Sequence, residues 1–145
     1  MFKKIDWKAL LLGAVVKFVA ENVLNALLFV IFGTYMHLVL GASPWWIFER
    51  FQDSPVGLLS STFATLVAYW LLGFVAGHVA KRSPFSTVGV YLVIEVFFSL
   101  LSLGLNIPHS ARIDFWESLI LLFCVIVAYV GVLSNERIVK DHARF

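Results

Sequence analysis

Apolar residues run almost unbroken from Ala9 to Phe32, Val56 to Ala80, Phe85 to Leu105 and Phe115 to Ser134. Each run is close to the roughly 20 residues that carry a helix across a hydrocarbon core about 30 Å thick. An unpaired backbone N–H or C=O in lipid costs several kcal/mol, so each run is expected to be helical. A transmembrane barrel would alternate apolar and polar residues in segments of about 10, and these runs do not alternate. The stretch between the first two runs, from Gly33 to Pro55, reads as a long outer loop. Within it, Ser43-Pro44-Trp45-Trp46-Ile47-Phe48-Glu49-Arg50-Phe51-Gln52 mixes aromatics with charges after a Ser-Pro start. That pattern predicts a short helix over 44–52 lying at headgroup level, as an anchor rather than a substrate lid. Ser83-Pro84 predicts a tight turn, with Ser83 as cap and Pro84 at the first helical position. Asn106-Ile107-Pro108 ends the third run, and Trp7 and Trp116 stand where interfacial anchors belong. The expected fold is all-α: one integral membrane domain over 1–145, a four-helix bundle with a short interfacial helix in its first outer loop.

Composition agrees with lipid as the solvent. Hydrophobic residues are 61% of the 145 and charged residues 14%, against about 45–50% and 25% in soluble domains. A formal charge of +2 without a basic cluster gives no footprint for nucleic acid. The single cysteine, Cys124, excludes an intrachain disulfide and a cysteine metal cage, and reads as a small packing residue. Lys3 and Lys4 ahead of an apolar run resemble a secretory signal, but Lys17 interrupts the run and no small-x-small site follows, so the segment reads as a retained first helix. Basic residues in the short connections set the orientation. Lys3, Lys4, Lys8, Lys81, Arg82, Arg137, Lys140 and Arg144 fall on one side, and Arg50 and Arg112 on the other. Both termini are therefore expected in the cytoplasm of a cell bearing this protein in its inner membrane, in keeping with an even number of spans.

Ionisable residues inside a span are costly and mark candidate sites. Here they are Lys17, Glu21 and Glu95. At 1.5 Å per residue, Glu21 lies roughly 18 Å and Glu95 about 15 Å from the cytoplasmic boundary, near the midplane, with Tyr69 at similar depth. Polar and small residues recur at helical spacing on three runs: Lys17, Glu21 and Asn25 with Asn22 beside them; Ser61, Thr65, Tyr69, Gly73 and Gly77; and Tyr91, Glu95, Ser99, Ser102 and Asn106. These faces are expected to turn toward one another, while the fourth run offers only Cys124, Ala128 and Gly131. The candidate polar or ion site is thus Lys17, Glu21, Asn22, Asn25, Tyr69, Tyr91, Glu95 and Ser99. Two carboxylates close together in low dielectric take up protons or cations readily. The structural reading, which is preferred, pairs Lys17 with Glu21 while the lysine snorkels toward the near interface, and has Glu95 hydrogen-bond across helices. Gly73-x-x-x-Gly77 lets two backbones approach, expected within the bundle rather than in a dimer. His37 and His109 fall in or beside outer loops, His78 at the inner end of the second run and His142 in the tail, which makes haem or metal ligation unexpected. No nucleophile elbow, phosphate loop or metal-ligand pair is present, so neither enzyme activity nor a cofactor is expected.

Ile5-Asp6-Trp7-Lys8-Ala9-Leu10-Leu11-Leu12-Gly13, Gly41-Ala42-Ser43-Pro44 and Gly73-Phe74-Val75-Ala76-Gly77-His78-Val79-Ala80-Lys81-Arg82 together resemble an uncharacterised family of small prokaryotic four-span membrane proteins. The likeness covers the first half of the chain, and the second half by topology. It departs at Ala20-Glu21-Asn22, where that group is glycine-rich. The resemblance implies topology and localisation, and no functional residues. The reading that follows is a small multi-pass accessory or interaction protein, its partners the bilayer and a second copy or another membrane protein. The alternative is a small proton- or cation-coupled carrier or channel that uses the midplane carboxylates.

Overall fold

A computed structural model of the chain describes residues 5–51, 53–80, 83–105 and 115–142, with 98–105, 115–118 and 137–142 described as backbone only. Those residues form five helices and no strand: α1 (Trp7–Leu40), α2 (Pro44–Arg50), α3 (Pro55–Val79), α4 (Pro84–Leu105) and α5 (Phe115–His142). Three of them, α1, α3 and the Leu119–Glu136 part of α5, are long and apolar enough to cross a membrane, and the chain is a membrane protein on that ground. The apolar stretch of α4 with described side chains is shorter, Pro84–Phe97.

The helix ends follow from the side chains at them. Asp6 caps α1 by accepting from the backbone N–H of Lys8 and Ala9, both at 3.1 Å. Pro44 and Pro55 open α2 and α3 behind Ser43 and Ser54. The Thr87 N–H donates to the Ser83 carbonyl at 3.1 Å, which puts Ser83 at the cap position of α4. The Lys81-Arg82 link and the 106–114 connection, with His109 and Arg112, lie outside the described residues.

Two helices overrun the hydropathic runs that predict them. α1 does not stop at Phe32 but continues through Gly33 to Leu40, so His37 sits in its last turn and not in a loop. Gly33 is a contact rather than a terminator. A Cβ there would come within 3.2 Å of the Ile47 side chain, which packs over it from α2. The terminator is Gly41, at φ 66°, a left-handed conformation that glycine adopts without a Cβ clash. The Gly41 and Ala42 N–H groups both donate back to the Met36 carbonyl, and the His37 ring donates through Nδ1 to the Ala42 carbonyl at 2.9 Å. α5 likewise runs past Ser134 into the charged tail as far as His142, because Glu, Arg and Lys are good helix formers.

α3 is the centre of the bundle, packed most extensively against α5 and next against α1. Its Tyr69, Leu72 and Ala76 meet Val88 and Leu92 of α4 and Cys124, Ala128 and Val132 of α5 in the buried core. α3 and α5 touch backbone to backbone at Gly73. An added Cβ there would fall on the Ala128 carbonyl, and one on Gly131 would fall on the Trp70 carbonyl and the Phe74 amide. Gly77 continues the same seam against Val132 and Asn135. α2 folds back on α1, with Ile47 and Phe51 buried and the Phe51 ring edge-on to Phe29 at 5.1 Å. Its Trp45 and Phe48 remain exposed.

The α2–α3 corner is held by Ser54, which accepts from Gly57 N–H at 3.0 Å and donates to the Phe51 carbonyl at 2.5 Å. Ser54→Ala removes both bonds and is expected to cost about 1 kcal/mol. The readout is a midpoint a few degrees lower in thermal unfolding of the detergent-solubilised protein; an unchanged midpoint would show that Phe51 packing and the backbone bond from the residue 54 N–H to the Phe51 carbonyl suffice to hold the corner.

Candidate functional site

Polar residues of α1, α3 and α4 converge on Lys17. Its ammonium lies 2.7 Å from Glu95 Oε1 on α4 and 3.1 Å from Glu21 Oε2, one turn along α1. It also sits 4.8 Å from the ring centroid of Tyr69 on α3, in cation–π contact. The remaining oxygen of Glu21, Oε1, accepts from the Thr65 hydroxyl of α3 at 2.8 Å. The Tyr69 and Tyr91 phenols both interact with the Glu95 carboxylate. Three helices are thus tied through one ammonium and two carboxylates, with side-chain exposures of 13% for Lys17, 26% for Glu21 and 22% for Glu95.

Helical spacing explains the convergence. Lys17 and Glu21 are four apart and share a face, as do Thr65 and Tyr69, and Tyr91 and Glu95. The Lys17 stem turns into the bundle, toward the two carboxylates. The expected pair with Glu21 is present, and a second contact, to Glu95, 78 positions away, joins it.

The other predicted members separate from this cluster. Asn22 is exposed, with its amide donating to the Phe18 carbonyl of its own helix at 2.8 Å. It follows Glu21 by one residue, about 100° around the helix, and cannot share the inward face. Asn25 is one turn beyond Glu21 and lines a cleft between α1, α2 and α3. Ser99 lies on α4 one turn after Glu95, where side chains are outside the described set. Gly73 and Gly77 belong to the α3–α5 seam, not to the charged cluster. Thr65 is the member missing from the sequence-based site. Its signal was present, on the Ser61-Thr65-Tyr69 stripe one turn before Tyr69.

Chemically, the cluster has one positive and two negative side chains when all are ionised. Both acceptor oxygens of Glu21 are engaged, Oε1 by the Thr65 hydroxyl and Oε2 by the Lys17 ammonium. Glu95 differs. Its Oε1 takes the lysine, while its Oε2 is buried and meets no hydrogen-bond donor among the described residues. Compared with protein-family models, curated proteins and solved structures, the chain matches none of them.

Proposed function

We propose that this chain is a four-span protein of the cell membrane with both termini cytoplasmic, acting as an accessory or interaction protein whose midplane charges fasten its helices. The observation that carries this reading is the seat of the Lys17 ammonium between Glu21 and Glu95. The place where two carboxylates would receive a mobile cation already holds a covalently tethered one. The fourth span is α4, whose 22 residues reach about 33 Å. The amphipathic α2, with Trp45 and Phe48 exposed, serves as the interfacial anchor. The charge asymmetry of the connections and the likeness of the first half to small prokaryotic four-span proteins support the orientation.

One observation favours a second reading, a proton-coupled carrier. With both carboxylates ionised the cluster would hold one negative charge more than positive, and Glu95 Oε2 is buried without a direct hydrogen bond among the described residues. An uncompensated charge in low dielectric is costly, and one proton or monovalent cation would neutralise it.

Glu21→Gln and Glu95→Gln, singly and together, separate the two. As an accessory protein, the wild type shows no proton or cation flux in liposomes, and the single substitutions lower the yield of monodisperse protein. As a carrier, the wild type passes protons, and the variants fold in normal yield but lose the flux.

A further inference from the structure

α1 turns one face away from the bundle. Gly13 is buried against Leu72 of α3. Nine residues on, at about 100° each, Asn22 stands on the opposite side of the helix. Leu11, Val15, Phe18, Asn22 and Ala26 follow one another along this outer face at spacings of four, three, four and four, and all are exposed. Higher on the same face, Phe29 and Gly33 are covered by Phe51 and Ile47 of α2.

Asn22 is the polar member of this face, at a depth where lipid offers no hydrogen bonds. Ser60 and Thr62 of α3 meet that difficulty within their own helix, donating to the Val56 and Leu58 carbonyls at 2.7 and 2.9 Å. A hydroxyl has one proton to place, and the carbonyl four residues back receives it. An amide has two N–H donors and an oxygen with two lone pairs. One Asn22 N–H goes to the Phe18 carbonyl at 2.8 Å, while the second N–H and the oxygen meet no partner among the described residues. A donor beside an acceptor is answered by an acceptor beside a donor, which is another amide.

A second copy of the chain supplies that amide. Copies inserted in one orientation are related by a two-fold axis along the membrane normal, so equal residue numbers meet at equal depth. Asn22 then faces Asn22 with no change of register, and two reciprocal N–H···O bonds close between them. The alternating spacing of four and three around it is that of a helix–helix seam, in which a single Asn fixes register and partner number.

We propose that α1 pairs with α1 of a second copy through this face, with the two Asn22 amides hydrogen-bonded across the two-fold axis. The pair names the partner in the interaction-protein reading and rests on α1 spanning the membrane. The Lys17 cluster, on the inward side of α1, takes no part in it.

Förster transfer between copies labelled at Asp53→Cys, an exposed position between α2 and α3, measures pairing in liposomes over a range of protein-to-lipid ratios. The native cysteine, Cys124, is buried and serves as the blank. Asn22→Leu removes both bonds and should weaken the pair about tenfold. Its thermal midpoint in detergent should be no lower than that of the parent, because Asn22 is exposed. Asn22→Gln keeps the amide and should restore most of the pairing. Under mild oxidation in membranes, Val15→Cys and Phe18→Cys should form disulfide-linked dimers, and Val23→Cys and Leu27→Cys, exposed on other sides of α1, should not. Absence of transfer at every ratio would overturn the pair. A pair that Asn22→Leu leaves unchanged, or one cross-linked only through Val23→Cys or Leu27→Cys, would overturn it as well. Val23→Cys also reports the span. Its modification by a membrane-impermeant thiol reagent would overturn the spanning reading of α1 and the pair with it, whereas an unmodified Val23→Cys in a monomeric protein would strike the pair alone.

Discussion

Lys17→Met should leave little folded protein. The substitution keeps the length and apolar stem of the side chain but removes the ammonium that Glu21 and Glu95 share at 3.1 and 2.7 Å. Two carboxylates would then face each other across α1 and α4 with, among the described residues, the Thr65 hydroxyl and the phenols of Tyr69 and Tyr91 to interact with them. Breaking a buried ion pair by removing one partner costs about 3–5 kcal/mol, because the abandoned charge stays desolvated. The lower end of that range, about 3 kcal/mol, is the expectation. The decisive companion is the triple variant Lys17→Met, Glu21→Gln, Glu95→Gln. It removes all the charge together, and replacing a whole buried ionic group is often neutral or better. The triple variant should regain most of the folded yield in size-exclusion chromatography and most of the thermal midpoint. A Lys17→Met protein as stable as the wild type would mean that the cluster does not hold α1 to α4.

Gly73→Ala is expected to be as damaging, for a steric reason. The new methyl group would be placed on the Ala128 carbonyl, which belongs to the backbone of α5 and cannot swing aside. The helices must separate at the point where they cross, opening a seam that also includes Gly131, Val132 and Asn135. Overpacking a close-packed contact costs about 1–3 kcal/mol, and a backbone-against-backbone clash belongs at the upper end, about 3 kcal/mol. Gly13→Ala is the control. Its Cβ would sit 3.5 Å from the Leu72 carbonyl and 3.7 Å from the Leu72 side chain, ordinary contact distances. Alanine is better than glycine inside a helix by about 1 kcal/mol, so Gly13→Ala should equal or exceed the wild type in thermal unfolding. If the two variants lose stability equally, helix propensity and general tightness decide the bundle, not the α3–α5 crossing.

Much of the helix pattern is legible from hydropathy because lipid makes a single demand on each span. The Ser43-Pro44 and Ser83-Pro84 helix starts are legible too, and Asp6 and Ser54 cap α1 and α3 by the same chemistry. The helix ends were less so. Gly33 and Gly41 are alike as letters, and only the position of Ile47 distinguishes a glycine that is packed upon from one that terminates. At the site, depth arithmetic brought Glu21 and Glu95 to one level, and helical spacing put Tyr69 and Tyr91 beside them. What spacing could not supply was the choice of partner, because Lys17 has Glu21 one turn away and Glu95 on another helix. The same limit hid α5. Cys124, Ala128 and Gly131 read as an unremarkable small-residue face, yet they meet the centre of α3, because close approach depends on which helix stands opposite.

The pairing of Lys17 with Glu95 also bears on how the chain enters the bilayer during synthesis. A charged residue at the centre of a nascent span raises its insertion free energy by about 2.5–3.5 kcal/mol. Lys17 emerges from the ribosome long before Glu95, with Glu21 beside it as a temporary counterion. α4 emerges later, and its own carboxylate has no basic residue within the helix to offset it. If α4 is the fourth span, as proposed, the ammonium already waiting on α1 would lower the barrier for α4 to leave the translocon. Biogenesis of the second half is therefore expected to depend on the first half being in place, and a fragment beginning at α4 should insert poorly unless α1 is supplied alongside it.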